Sequence, residues 1–330
     1  MEEAKLNLIH IGLPKTGSTA LQNYWSTHKH LNCCWQNLAP MVSNIRQAIH
    51  QFKDYEDLPI ATPLTFDKRV DEPVSGIYTS EALSTFAWGY SVSAEQVTKA
   101  RWFFADSIFN QIPEAKVLAV IRDPIDWILS IYKQYIQEGG HLDLQSFVES
   151  EKEFLLATLN LRELFDVWAE YYQSQDIIFL PYEMLRKTPQ RYNQILSVKL
   201  GLSEEHRLVG NLPEANTSIS NKEVELMRQS AAWFQQLEEH SEWSKLTFKR
   251  LRKDLLLALR TEFQKQGTLS EYIEATYSQS EPKFELTSEY LDMLETQFLS
   301  FLNEYSPEFY GYLSRYRSTL YQNQYELNEE

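Results

Sequence analysis

Cysteine is almost missing from these 330 residues: Cys33 and Cys34 are the only two, and they are adjacent. A vicinal pair closes a strained ring and cannot staple distant segments, so the fold has to hold without a disulfide framework. Two reduced thiols in a cytosolic protein are the expectation, and His28 and His30 do not complete a zinc set beside them. Long apolar runs are missing as well. No window approaches the roughly 18 consecutive apolar residues of a membrane span. Met1-Glu2-Glu3-Ala4-Lys5 lacks the basic start and apolar core of a secretory signal, so a cytoplasmic location is expected. Positive charge is in deficit: 31 Lys and Arg against 46 Asp and Glu leave a net charge of −15. Such a field argues against a nucleic-acid partner and against polyanionic ligands, and favours a neutral or cationic small molecule. No internal repeat, low-complexity run or Gly/Ser linker divides the chain, so a single domain over 1–330 is expected.

What is present is ordinary in bulk. Hydrophobic residues make up 43% and charged residues 23%, as in a soluble globular protein long enough for a large α/β domain. Leu6 to Ile11, Val74 to Ser80, Lys116 to Ile121 and Asp176 to Leu180 read as strands. The third is a continuous apolar run, as in a strand buried on both faces. Helical spacing follows over 20–30, from an N-cap at Ser93 to about Asn110, and from Ile125 to Gln137. Two helices are expected in 143–174 and one from Pro189 to about Lys199. Strands alternating with helices predict an α/β fold with a parallel sheet of about four to five strands. Residues 31–73 read as a variable excursion with one helix near 41–53, 203–221 as a polar loop, and 221–330 as mostly amphipathic helix broken near Ser278–Pro282.

The most informative stretch runs from Leu6 to Thr19. Its apolar strand stops at Gly12-Leu13-Pro14, and a loop with a second glycine leads into a helix start. Strand, glycine-bearing turn and helix N-terminus make a phosphate cradle, in which backbone N–H groups and the helix dipole favour an anion. Lys15 adds a mobile cation; Thr16, Ser18 and Thr19 add hydroxyls. A Walker A loop puts Lys directly after the second glycine, and here Ser18 follows Gly17 while the lysine lies inside the loop. The departure points away from an ordinary ATPase or GTPase and towards a relative of that fold.

Pro14-Lys15-Thr16-Gly17-Ser18-Thr19 resembles the 5′-phosphosulfate loop of sulfotransferases that use 3′-phosphoadenosine 5′-phosphosulfate (PAPS). A second stretch, Arg122-Asp123-Pro124 followed by Ser130 and Tyr132, matches that family's R-[ND]-P-x-x-x-x-x-S-x-Y pattern. The resemblance implies a P-loop-like sulfotransferase fold and in-line sulfuryl transfer from PAPS, with PAP as product and no metal. It also implies a nucleotide-binding core over 5–220 and a helical cover over 221–330 that contributes to acceptor binding. Pro14, Lys15, Thr16, Gly17, Ser18 and Thr19 would hold the 5′ end, and Arg122 with Ser130 the 3′-phosphate. Asn216 and Ser218 resemble a late N-x-S segment that approaches the nucleotide. Tyr182-Glu183-Met184-Leu185 resembles the family's Y-E-x-L segment and reads as structural.

Transfer also needs a base for the acceptor proton. Glu81, after the second strand, is the candidate, because carbohydrate-type members place a glutamate in this region. The bland alternative is a carboxylate that favours a helix dipole. His141, in Gly139-Gly140-His141, is the runner-up, and His10 reads as a core histidine. The implied acceptor is a small molecule or natural product bearing a hydroxyl or amine. Carbohydrate O- or N-sulfation is the alternative within the class. A P-loop nucleotide kinase and a PAPS-binding module without catalysis are the alternatives outside it.

Overall fold

Among the described residues five short strands line up in parallel in one sheet. The computed structural model describes residues 7–27, 31–33, 38, 40–44, 75–85, 92–204, 207–210, 219–240, 245–265, 267–276 and 284–312. The strands are β1 (Asn7–His10), β2 (Leu31–Cys33), β3 (Ser75–Thr79), β4 (Lys116–Ile121) and β5 (Ile177–Pro181), in the sheet order β2-β3-β1-β4-β5. Their register sets Ile9 beside Tyr78 and Val117, and Leu118 beside Ile178. The α/β fold and the parallel sheet are as expected. β2 lies in the segment read as an excursion; three residues are too few for a periodicity to be visible. The helix expected near 41–53 enters the described residues only at 40–44, and Asn216, Ser218 and the break near 278–282 lie outside them.

Described helices follow in chain order: α1 (Ser18–Ser26), α2 (Ala82–Thr85), α3 (Ala94–Phe109), α4 (Pro124–Gln137), α5 (Leu144–Ser150), α6 (Lys152–Leu159), α7 (Leu161–Ala169), α8 (Tyr182–Lys187) and α9 (Pro189–Leu200). Then come α10 (Asn221–His240), α11 (Lys245–Gln264), α12 (Thr268–Thr276), α13 (Ser288–Met293) and, after a π-helical turn, α14 (Ser300–Tyr305). Ser93 caps α3 as anticipated, in a reciprocal capping box with Gln96. Three helices occupy the stretch where two were expected. Asp143 and Asn160 accept N–H groups three residues on, at 2.8 Å from Ser146 and 3.1 Å from Glu163, and each restarts the chain as a helix.

The chain divides into two compact units: Met1–Trp127, Glu153–Pro213 and Thr287–Glu330 in the first, Ile128–Lys152 and Glu214–Leu286 in the second. The first holds the sheet. Leu8, Ile77, Leu118, Val120, Ile178 and Leu180 form one buried face against Leu21 and Trp25 of α1, Met184 of α8 and Leu196 of α9. On the opposite face Phe179 meets Phe165 of α7 and Phe301 of α14, with centroids 6.4 and 5.1 Å apart. Val117 to Ile121 are therefore buried from both sides, which explains the unbroken apolar run.

The second unit is helical. Tyr132, Tyr135 and Phe147 cluster with centroids 4.9 to 6.5 Å apart. Gly140 passes so close to the Tyr135 ring that an added Cβ would stand 2.2 Å from it, and Gly139 turns the chain there at φ +103. Arg228 of α10 grips Glu225 through two nitrogens, at 2.7 and 2.6 Å, and donates to the His141 carbonyl at 3.4 Å.

Candidate active site

β1 is the middle strand, and the chain leaves it first towards β3 and later towards β4. The carboxyl ends on either side of such a reversal diverge and leave a crevice, the usual ligand position in an open parallel sheet. Lys15, Glu81, Arg122 and Tyr182 follow β1, β3, β4 and β5 respectively.

The loop after β1 is held by its neighbours. Ile11 and Leu13 donate N–H groups to Leu118 and Val120 carbonyls at 2.9 and 3.0 Å, extending the ladder beyond the strand. Thr16 is fully buried and donates its hydroxyl to the Leu13 carbonyl, so that hydroxyl braces the loop and only its backbone N–H is left to serve a ligand. Lys15 stands at φ +63, the left-handed region that non-glycine residues rarely occupy, and Gly17 at φ +82. These two residues turn the chain into α1 in so few steps. Gly17 is the N-cap, and α1 has neither a side-chain cap nor an acidic residue in its first turn. Its positive end thus meets no side chain carboxylate of its own first turn, which suits an incoming anion.

β4 ends in the segment that clamps this loop from the other side. Arg122 Nη1 donates to the Lys15 carbonyl at 2.9 Å, and Trp127 Nε1 to the Pro14 carbonyl at 2.9 Å. Asp123 is buried and its carboxylate accepts the N–H groups of Ile125 and Asp126, at 3.0 and 3.2 Å, so it caps α4. The Arg122 guanidinium lies 4.9 Å over the Tyr182 ring, and that ring also packs against Gly17. Sequence reasoning had found Arg122 but not its supports. Tyr182 was visible only within a segment that reads as structural, and Trp127, inside α4, carries no local signal.

Glu81 follows β3. Burial pushes its carboxyl above the usual range, while the Ser18 hydroxyl and the Lys15 charge pull the other way. Ser18 Oγ is itself buried and, although beside Glu81, meets no partner at hydrogen-bond geometry among the described residues. Behind Glu81, the Ser84 hydroxyl lies 2.9 Å from the Glu81 carbonyl and 3.1 Å from the Gly12 carbonyl. The fully buried Arg101 donates to the Ser84 carbonyl at 2.7 Å, to the Thr158 carbonyl at 3.1 Å and to Glu163 at 3.4 Å. One network therefore ties the β1 loop to the turn that carries Glu81. Neither Ser84 nor Arg101 was legible as part of it.

His10 is a core histidine, as expected. It is hydrogen-bonded to Thr79 at 2.8 Å, edge-on to Trp25 at 5.3 Å, and burial lowers its pKa to about 3. Ser130, on α4, and His141, in the loop that follows it, lie within the second unit; the His141 pKa is lowered by burial and by Arg252 and Arg228.

The donors suit an anionic group such as a phosphate. Ser18 Oγ and Arg122 Nε are both buried and without a hydrogen-bond partner among the described residues, a cost that an anion's oxygens would relieve. Glu81 and Lys15 beside them join a proton acceptor to a cation. Among the described residues no helix is long and apolar enough to cross a membrane.

Residues 8–206 match a family described as "Sulfotransferase family". Among solved structures, the chain is similar to a sulfotransferase from Alicyclobacillus acidocaldarius at 15% identity and a TM-score of 0.44, covering 74% of this chain and 99% of that one. It is also similar to mouse sulfotransferase SULT7A1 complexed with PAP, at 12% identity and a TM-score of 0.33, over 82% of this chain and 89% of that one. No curated protein matches.

Proposed function

The chain belongs to the sulfotransferase family, and on that premise we propose that it transfers the sulfuryl group of PAPS to a hydroxyl or amine of a small neutral or cationic acceptor. The observation that supports this most is the meeting of Lys15, Glu81 and Arg122 after three adjacent parallel strands, with the loop carbonyls of Lys15 and Pro14 held by Arg122 and Trp127. PAPS supplies the sulfuryl group, and PAP leaves. The S–O bond to the 5′-phosphate breaks as a bond from sulfur to the acceptor oxygen or nitrogen forms, and the acceptor proton passes to Glu81.

Each residue has a defined task in this reading. Lys15 holds the 5′-phosphate and follows negative charge onto the leaving oxygen. The backbone N–H groups of Thr16 to Thr19 and the Ser18 and Thr19 hydroxyls hold the same phosphate at the positive end of α1. Glu81 takes the proton; its burial strengthens it as a base, and Lys15 keeps enough ionised form available. Arg122 binds the 3′-phosphate with a planar fork already fixed by Lys15 and Tyr182. Ser130, Asn216 and Ser218 keep the nucleotide contacts that the motif resemblance implies. No metal enters the reaction. Residues 1–330 act as one sulfotransferase domain.

The test is transfer itself. The protein is incubated with sulfur-labelled PAPS and a panel of neutral, cationic and saccharide acceptors. Labelled product and stoichiometric PAP are expected with at least one small neutral or cationic acceptor. PAPS binding with no transfer to any of them would favour a module without catalysis. Magnesium-dependent ATP hydrolysis would favour a kinase.

A further inference from the structure

Glu183 has no task in the reaction above, yet it sits under the residue that grips the 3′-phosphate. It is the second residue of α8, directly after β5, and its Oε1 accepts the Asp123 N–H at 2.9 Å. That bond fixes the turn from β4 into α4, the turn on which Arg122 stands. The neighbouring Tyr182 places its ring under the Arg122 guanidinium at 4.9 Å. Two consecutive residues of α8 therefore hold Arg122 from below, one through the backbone and one through the ring. The other carboxylate oxygen, Glu183 Oε2, is buried without a hydrogen-bond partner among the described residues, as is Arg122 Nε.

We propose that Glu183 is the positioning residue of the 3′-phosphate seat, aiming Arg122 through the Asp123 turn and taking up a proton when a phosphate docks there. This rests on the reading of Arg122 given under Proposed function. Against burial, the Asp123 N–H, its own N–H and the charge of Arg122 favour the ionised form of Glu183, and the charge of Asp123 opposes it. Burial outweighs them and lifts its pKa to about 7. The carboxyl is therefore close to half ionised near neutral pH. A bound phosphate adds like charge beside it and draws the Arg122 field away, so the complex holds more proton than the free protein. Affinity for a 3′-phosphorylated nucleotide must then fall as pH rises through and above about 7, by at most about tenfold per pH unit for one linked proton. The ligand's own phosphates titrate near pH 6 in the opposite sense, so a variant without this carboxyl is the reference.

The experiment compares binding of PAP and of 5′-AMP, which lacks the 3′-phosphate, to wild type, Glu183→Gln and Glu183→Ala by calorimetry between pH 6 and 8.5. Glu183→Gln keeps an oxygen for the Asp123 N–H but cannot ionise. It should retain the wild-type preference for PAP over 5′-AMP while losing the decline with pH. Glu183→Ala should lose about tenfold of that preference, because the Asp123 N–H is left without its acceptor. A merely structural glutamate would change the melting temperature and leave the pH profile of Glu183→Gln like that of wild type, and that result overturns the proposal. An unchanged preference in Glu183→Ala overturns it as well. If Glu183→Ala does not fold, the profile of Glu183→Gln decides alone. Wild type that does not prefer PAP to 5′-AMP at any pH overturns the reading of Arg122 and this inference with it. A preference present in wild type and untouched in both variants overturns only the role of Glu183.

Discussion

Replacing Gly17 by alanine separates two costs that the loop after β1 imposes. Gly17 and Gly201 have nearly the same backbone, φ 82 and ψ 20 against φ 71 and ψ 25. A Cβ in this left-handed region costs about 1–2 kcal/mol, partly offset by the ~0.4–1 kcal/mol that alanine removes from the entropy of the unfolded chain. At Gly201 nothing lies within 4 Å of an added Cβ, so Gly201→Ala should show that backbone term alone, about 1 kcal/mol. At Gly17 the same atom would stand 2.9 Å from Tyr182 Cε2, 3.3 Å from Cδ2 and 3.4 Å from Leu185 Cδ2. Pushing that ring and its helix aside should add about 1–3 kcal/mol, as overpacking does elsewhere. Urea unfolding of the two variants, with matching m values, reads the difference directly. The displaced ring is the one beneath Arg122, so Gly17→Ala should also weaken PAP at least ~10-fold while Gly201→Ala leaves it unchanged. Equal stability losses in the two variants, or wild-type PAP affinity in Gly17→Ala, would refute the reasoning.

Further expectations concern single groups. Lys15→Ala should abolish transfer and weaken PAPS; near-normal turnover removes the loop from the reaction. Arg122→Ala should bring PAPS and its 3′-dephosphorylated analogue towards equal affinity, and unchanged discrimination counts against the assignment. Glu81→Gln should cut turnover by about 10²-fold or more with nucleotide affinity retained. In wild type, turnover should rise with pH through a midpoint above the usual carboxylate range, because burial raises the Glu81 pKa. His10 refuses a proton in the folded state down to about pH 3, whereas an unfolded histidine accepts one below about 6.5. The unfolded chain binds the extra proton, so stability should decline as pH falls from about 6.5 towards 3, by up to ~5 kcal/mol from this group. Melts of His10→Asn should show a shallower decline; an identical slope argues against a neutral buried imidazole.

Supports of the site were harder to read than its ligand-facing groups, and the reason is distance along the chain. Lys15 and Arg122 stand inside local patterns that one stretch of residues displays. Arg101 meets Ser84 and Thr158, seventeen and fifty-seven residues away, and Trp127 meets Pro14 across 113. Nothing in the neighbourhood of Arg101 in the chain marks it as the brace of the Glu81 turn. Glu183 was visible only as part of a segment that read as structural, because its carboxyl acts on the Asp123 N–H sixty residues earlier. The third helix between 143 and 174 was missed for a different reason. Asp143 and Asn160 are good caps, but whether such a residue starts a helix or sits in a loop depends on what the next turn packs against.

The sequence by itself determined the cradle, since the order of Gly12, Lys15, Gly17 and Ser18 between an apolar strand and a helix start leaves the local chain few other conformations. It also determined that β4 is buried on both faces, because Val117 to Ile121 is an apolar run without the alternation of a half-solvated strand. Only the tertiary structure decided which strand ends are neighbours. The order β2-β3-β1-β4-β5 puts β1 between β3 and β4, and so brings residues 15, 81 and 122 to one crevice. That order depends on long-range pairing of strands whose edges look alike in sequence. It also depends on α1 and α8 filling one face of the sheet while α7 and α14 fill the other. The lysine displaced from its usual P-loop position is local chemistry. Its position between a carboxylate and a guanidinium is a consequence of the fold.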